Sequence, residues 1–131
     1  MPTRPLSPHL SVYRMSRYTL ATSIANRFTG MALSVGLLLL VYWLLAVAGG
    51  MQSYARAVRV LATPLAQLVY AALIVACCYH LVAGLRHLVW DTGHWLERAQ
   101  SQKSAWLVVA ASFVLILIIA YRLWFAGAHA P

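Results

Sequence analysis

Three long apolar runs, set between polar stretches, dominate the chain. Residues 31–48 read MALSVGLLLLVYWLLAVA, residues 65–85 LAQLVYAALIVACCYHLVAGL and residues 105–121 AWLVVAASFVLILIIAY. A lipid core about 30 Å thick needs roughly 20 apolar residues in a helix. Backbone groups in lipid find hydrogen-bond partners only within their own helix. The pattern therefore predicts three transmembrane helices, over about 23–48, 65–89 and 105–125. The third reaches residue 125 because Arg122 can extend its head group to the interface. Between the first two, residues 49–64 read GGMQSYARAVRVLATP, a short loop or interfacial turn with Pro64 suited to starting the second span. Between the last two, residues 91–104 read DTGHWLERAQSQKS, polar and broken at Gly93. Trp90, Trp95, Trp106 and Trp124 fall near span ends, where aromatic belts sit.

Composition agrees with a lipid solvent. The 131 residues are 63% hydrophobic and only 9% charged, with a mean hydropathy of +0.75. Soluble domains carry about 25% charged residues. The expected fold is an all-α membrane protein in a single domain, residues 1–131, with residues 1–22 as a cytoplasmic N-terminal segment. That segment is basic and polar and does not read as a signal peptide. Cys77 and Cys78 are adjacent in an apolar run, which excludes a disulfide framework or zinc site and makes them small packing residues.

The net charge of +8 first suggests nucleic acid. The basic residues instead flank the apolar runs, so membrane topology accounts for them and no nucleic-acid partner is expected. One side of the membrane receives Arg4, Arg14, Arg17, Arg27, Arg86, Arg98 and Lys103; the other receives Arg56, Arg59 and Arg122. The positive-inside bias puts the N-terminus in the cytoplasm, or in the matrix of an organelle.

The second run ends in an unusual cluster, YHLVAGLRHLVWD. At 100° per residue, Gly84, His87 and Asp91 lie at about 40°, −20° and 20° from His80, so the four share one narrow face. Ionisable groups within a span face a cavity, a cofactor or a partner rather than lipid. Gly84 admits either a large flat group or a closely packed helix. His80 reads either as a metal or haem ligand or as a histidine bonded across a helix interface. His80 and His87 are about 10.5 Å apart along the axis and point the same way, so one helix cannot supply both axial ligands of one haem. His9, His94 and His129 lie outside the spans, and no methionine stands at a convincing depth. A six-coordinate haem on His80 would need its second ligand from another chain.

The first span carries a matching stripe. Arg27, Gly30 and Ser34 fall at about 40°, −20° and 20° from Ser23, with Asn26 beside them at about −60°. Arg27 suits a carboxylate such as a haem propionate, or a topology anchor at a helix start. Ser23 suits a carbonyl ligand or a helix cap.

The stretches RPLSPHLSVYR from Arg4, SIANRFTG from Ser23 and HLVAGLRHLVWD from His80 resemble, in order and spacing, the signatures of the cytochrome b membrane-anchor subunit of succinate dehydrogenase. The resemblance covers nearly the whole chain. It implies three helices forming half of a heterodimeric, haem-binding bundle with a second hydrophobic anchor subunit. It further implies iron–sulfur and flavoprotein subunits held at the cytoplasmic or matrix face. In such proteins succinate is oxidised at the flavin and electrons pass through iron–sulfur clusters to ubiquinone. By the resemblance, His80 is an axial ligand of haem b, with the other ligand from the second anchor subunit. His87 is a haem-edge or propionate neighbour, and Gly84 packs against the haem. Ser23 and Arg27 line the quinone pocket, Arg27 also lying near a propionate. Asp91 belongs to a proton path that Glu97 extends. Many relatives carry histidine where this chain has Asn26, so a contact there is uncharged. The chain is thus expected to be a subunit without a complete active site, in the bacterial inner membrane rather than the mitochondrial one. The rival expectations are the anchor of a fumarate reductase and a haemless membrane transporter element or assembly factor.

Overall fold

A computed structural model describes residues 17–128. The chain forms α1 (Arg17–Ala48), α2 (Met51–Leu61), α3 (Pro64–Asp91) and α4 (Arg98–Ala128), with no strand among the described residues. The all-α expectation and the three long apolar helices are borne out. With 32, 28 and 31 residues, α1, α3 and α4 are about 42–48 Å long, so each exceeds a hydrocarbon core and carries its ends beyond it.

Local sequence sets the breaks. After α1, Gly50 has φ 84°, a left-handed conformation open to glycine, and the chain turns into α2. Thr63 caps α3, its Oγ1 accepting from the Ala66 N–H at 3.4 Å, and Pro64 fills the first helical position, where a missing N–H costs nothing. Gly93, at φ 80°, ends α3, with its N–H donating to the Trp90 carbonyl at 2.8 Å. The polar connector is only half loop: helix resumes at Arg98, and the first turns of α4 are polar.

The segment 49–64 differs from the loop or turn expected of it. It contains an 11-residue amphipathic helix, with Ala57 fully buried against the bundle and Arg56 and Arg59 exposed. Met51, Tyr54, Val58 and Leu61 recur at helical spacing on one side, as in a helix lying in the membrane interface.

α3 packs against both α1 and α4, which also touch each other. The seam is built from small residues: Ala76, Cys78 and Ala83 of α3, with Ser104, Ala105, Val108 and Ser112 of α4, are all buried. Large side chains point outward; Leu38, Leu45 and Leu65 are each about two-thirds exposed or more. That inversion suits lipid, where burying leucine gains little and close backbone approach gains van der Waals contact. Both cysteines are free thiols.

Candidate functional site

Polar residues of α1 and α3 meet in the half of the bundle where α1 begins. The imidazole of His80 lies between the two helices, half-buried. Its Nδ1 is 3.2 Å from the carbonyl oxygen of Asn26 and 3.2 Å from Thr29 Oγ1. A carbonyl only accepts, so Nδ1 must carry the proton. The Thr29 hydroxyl is committed as a donor to the Ala25 and Asn26 carbonyls, at 2.9 and 3.0 Å, so its oxygen accepts from His80. In the neutral ring the hydrogen-bond network therefore assigns the Nδ1–H tautomer, whose Nε2 lone pair is free. A metal-ligating histidine is held in the same way, by its other N–H on a backbone carbonyl.

Two glycines shape the space around this ring, in different ways. Gly30 of α1 seats it: a Cβ there would lie 3.2 Å from His80 Cε1. Gly84, one turn further along α3, borders open space, since a Cβ built on it meets nothing within 4 Å. Asn26 adds a buried Oδ1 with no donor. Among buried polar atoms such orphans are unusual.

The other expected site residues are placed less tightly. His87 is half-buried and meets Trp90 edge-on, with ring centroids 5.2 Å apart. Ser23 and Arg27 are exposed on α1 and bond to no described residue; α1 reaches His80 through Asn26, Thr29 and Gly30 instead. Ser34, the far member of that stripe, turns its hydroxyl back to the Gly30 carbonyl at 3.0 Å. Asp91 and Glu97 are exposed at the same end, on either side of the turn between α3 and α4. His94 also lies in that turn, its Nδ1 3.0 Å from the Thr92 carbonyl. The first of the three signature stretches, residues 4–14, and His9 and His129 lie outside the described residues.

The structure adds a group that sequence reasoning placed among the topology charges. Arg86 is buried, 8% exposed. Its Nε donates to Ser104 Oγ at 2.9 Å and an Nη to Thr22 Oγ1 at 3.3 Å. The other Nη reaches the Ser101 carbonyl at 2.9 Å and Ser101 Oγ at 3.3 Å. The guanidinium also lies 3.9 Å from the centre of the Trp90 ring. One side chain thus ties α3 to α1 and α4. Beside it, the Tyr79 hydroxyl donates to the Thr22 carbonyl at 3.0 Å. Tyr79 and Arg86 are seven residues apart, within about 20° on the helix, so a second polar face was legible in α3.

Comparison with known proteins places the chain in a family. Residues 1–119 match the family described as succinate dehydrogenase/fumarate reductase transmembrane subunit. The chain is 42% identical to the succinate dehydrogenase cytochrome b556 subunit of Paracoccus denitrificans, over 88% of each chain. It is 33% identical to the cytochrome b556 subunit of Rickettsia typhi, over 88% of this chain and 90% of that one. With the mitochondrial cytochrome b560 subunit of Homo sapiens it shares 39% identity, over 81% of this chain and 63% of the human one. The family match covers residues 1–119 and reaches into the third span, so the chain belongs to the succinate dehydrogenase/fumarate reductase transmembrane subunit family.

Proposed function

We propose that this chain is the haem b-binding membrane anchor of a bacterial succinate:ubiquinone oxidoreductase. It is a non-flavin subunit of that enzyme. It holds the iron–sulfur and flavoprotein subunits at the cytoplasmic face of the inner membrane and completes its bundle with a second hydrophobic anchor subunit. The names of the relatives favour the succinate dehydrogenase over the fumarate reductase member of the family. Family membership leaves the transporter and assembly-factor readings without support.

The observation that carries the reading is the state of His80: its Nδ1–H is anchored on Asn26 and Thr29 and its Nε2 is left as a free donor of electrons. The open space at Gly84 adjoins it on the same helix face. The residues fit an iron porphyrin: His80 would ligate the iron through Nε2, the space at Gly84 would admit the macrocycle, and the partner anchor would supply the other ligand. When bound, the haem supplies a one-electron store within the membrane. The chain's own part is to fix the imidazole's orientation, with Nδ1–H held on Asn26 and Nε2 left without a bond. Arg27, with five donors in a planar fork and no partner within the described residues, is available to a propionate or a quinone carbonyl. Ser23, one turn earlier on the same face, offers a hydroxyl to the other carbonyl. His87, half-buried two turns beyond His80 on the same face, would stand at the edge of the porphyrin. Asp91 and Glu97, both wet, can carry protons from the cytoplasm to the reduced quinone. Hydrogen bonds of this kind stabilise charge as it develops on the quinone oxygens.

The test is a reduced-minus-oxidised spectrum of the membrane complex with His80→Ala beside the unsubstituted chain. The haem b band is expected to vanish or change markedly in the variant; an unaltered band would remove His80 as the ligand. For the quinone site, Ser23→Ala and Arg27→Ala are expected to lower quinone reductase activity more than succinate oxidation by a soluble acceptor. Equal losses of both activities would point to faulty assembly rather than to quinone contacts.

A further inference from the structure

Among the described residues, no anion accompanies the cation of Arg86. The chain has two carboxylate side chains, Asp91 and Glu97, and both are exposed and make no contact with the guanidinium. Its partners are neutral: two serines, a threonine, one carbonyl and the face of Trp90. At 8% exposure it is largely enclosed by its own three helices. Such a charge is costly inside a membrane protein. Neutral partners do not need it, because an uncharged amide could donate to the same hydroxyls. What only a cation supplies is a field, which reaches far in a low-dielectric interior.

Arg86 stands six residues from His80, about 9 Å along α3 and about 120° round it, so its charge lies on a neighbouring face at a somewhat larger separation. Taking up one electron removes one unit of positive charge from a redox group, so a fixed cation nearby favours the reduced form. Resting on the reading of His80 above, we propose that Arg86 sets the electron affinity of the haem that His80 carries. It does so without touching it, by a charge whose position Thr22, Ser101 and Ser104 fix. The neutral cage is part of the device: it orients the fork while leaving the charge uncancelled.

The experiment is a redox titration of the haem band in membranes carrying the full complex. Arg86→Gln keeps donors and removes the charge; Arg86→Lys keeps the charge and loses the fork. Ser104→Asp leaves Arg86 in place and sets a carboxylate where a hydroxyl oxygen now lies 2.9 Å from Nε. For a unit charge at this separation and an effective dielectric near 20, the change is on the order of tenfold. At a fixed potential the reduced-to-oxidised ratio is expected to fall about tenfold in Arg86→Gln, which is about 59 mV for one electron. Ser104→Asp should move it the same way, and it decides the matter if Arg86→Gln does not accumulate. Arg86→Lys should stay within about threefold of the unsubstituted complex by the same Coulomb argument. A ratio unmoved in both charge-cancelling variants overturns the proposal, as does Arg86→Lys falling as far as Arg86→Gln. Absence of any haem band from the unsubstituted complex would instead refute the role of His80, so the two failures are distinct.

Discussion

The two ends of this bundle are held together by different physics. Where α1 begins, the helices are cross-linked by side-chain hydrogen bonds: Tyr79 to Thr22, His80 to Asn26 and Thr29, and Arg86 to Thr22, Ser101 and Ser104. At the end capped by α2 the contacts are apolar and loose. A cleft of about 570 Å³ lies between α1, α2 and α3, lined by Gly36, Trp43, Val58, Tyr70 and Leu73 among others. A second, of about 490 Å³, opens between α1 and α3 from Leu33 to Cys77. Leucine gains little by leaving lipid for protein, so apolar surface in these clefts can stay wetted by acyl chains. A bond between polar groups across helices is different, since water does not compete for it in the hydrocarbon. Such bonds are worth only about 0.6–2 kcal/mol each, but they are directional. The chain spends its directional contacts at the end where the proposed chemistry needs fixed geometry.

If that contrast is real, overpacking should be felt most at the cross-linked end. Ala83 is 4% exposed on α3, between the Tyr79 and Arg86 levels. Ala83→Leu adds three carbons to a seam made of alanines and serines. Overpacking of this kind costs about 1–3 kcal/mol, and here it also spreads the helices that Arg86 joins. The thermal unfolding midpoint of the purified complex is expected to drop by several degrees. A midpoint equal to that of the unsubstituted complex would mean that this seam is as plastic as the α2 end, and the contrast would fail.

The same contrast explains what the sequence could and could not disclose. Span positions follow from run length, and the His80–Asp91 stripe follows from helical spacing, so both were legible. The burial of Arg86 was not. A basic residue near the end of an apolar run reads as a topology anchor, and only the arrival of Thr22 and Ser104, 64 and 18 positions away, converts it into a core group. Likewise Asn26 contributes its backbone carbonyl to His80, a role no side-chain pattern can announce. α2 was missed for another reason: its apolar face is only four residues long, and two arginines within 11 residues make the segment look like a loop. Gly30 was seen as a gap on the α1 stripe, yet which ring would fill it depended on the register of α1 against α3.

The smallest expected effects give the sharpest comparison, because the same substitution can be made at two levels of one helix, six residues apart. In Gly30→Ala the new Cβ lies 3.2 Å from His80 Cε1; in Gly36→Ala it lies 2.8 Å from Leu73 Cδ2. Judged by distance alone, Gly36 is the worse site. The neighbours argue the reverse. Leu73 Cδ2 is the free end of a flexible side chain that already borders both clefts, so it can rotate away. Alanine also favours helix by up to about 1 kcal/mol over glycine, which offsets the small cost of that rotation. The His80 ring is pinned by two bonds on Nδ1 and has nowhere equivalent to go. Gly36→Ala is therefore expected to leave thermal stability within about 0.5 kcal/mol of the unsubstituted chain and the haem band unchanged. Gly30→Ala should displace or broaden that band while costing no more than about 1 kcal/mol of stability. A haem spectrum disturbed more by the change at Gly36 than by the change at Gly30 would show that contact distance, not the freedom of the contacted group, governs this bundle.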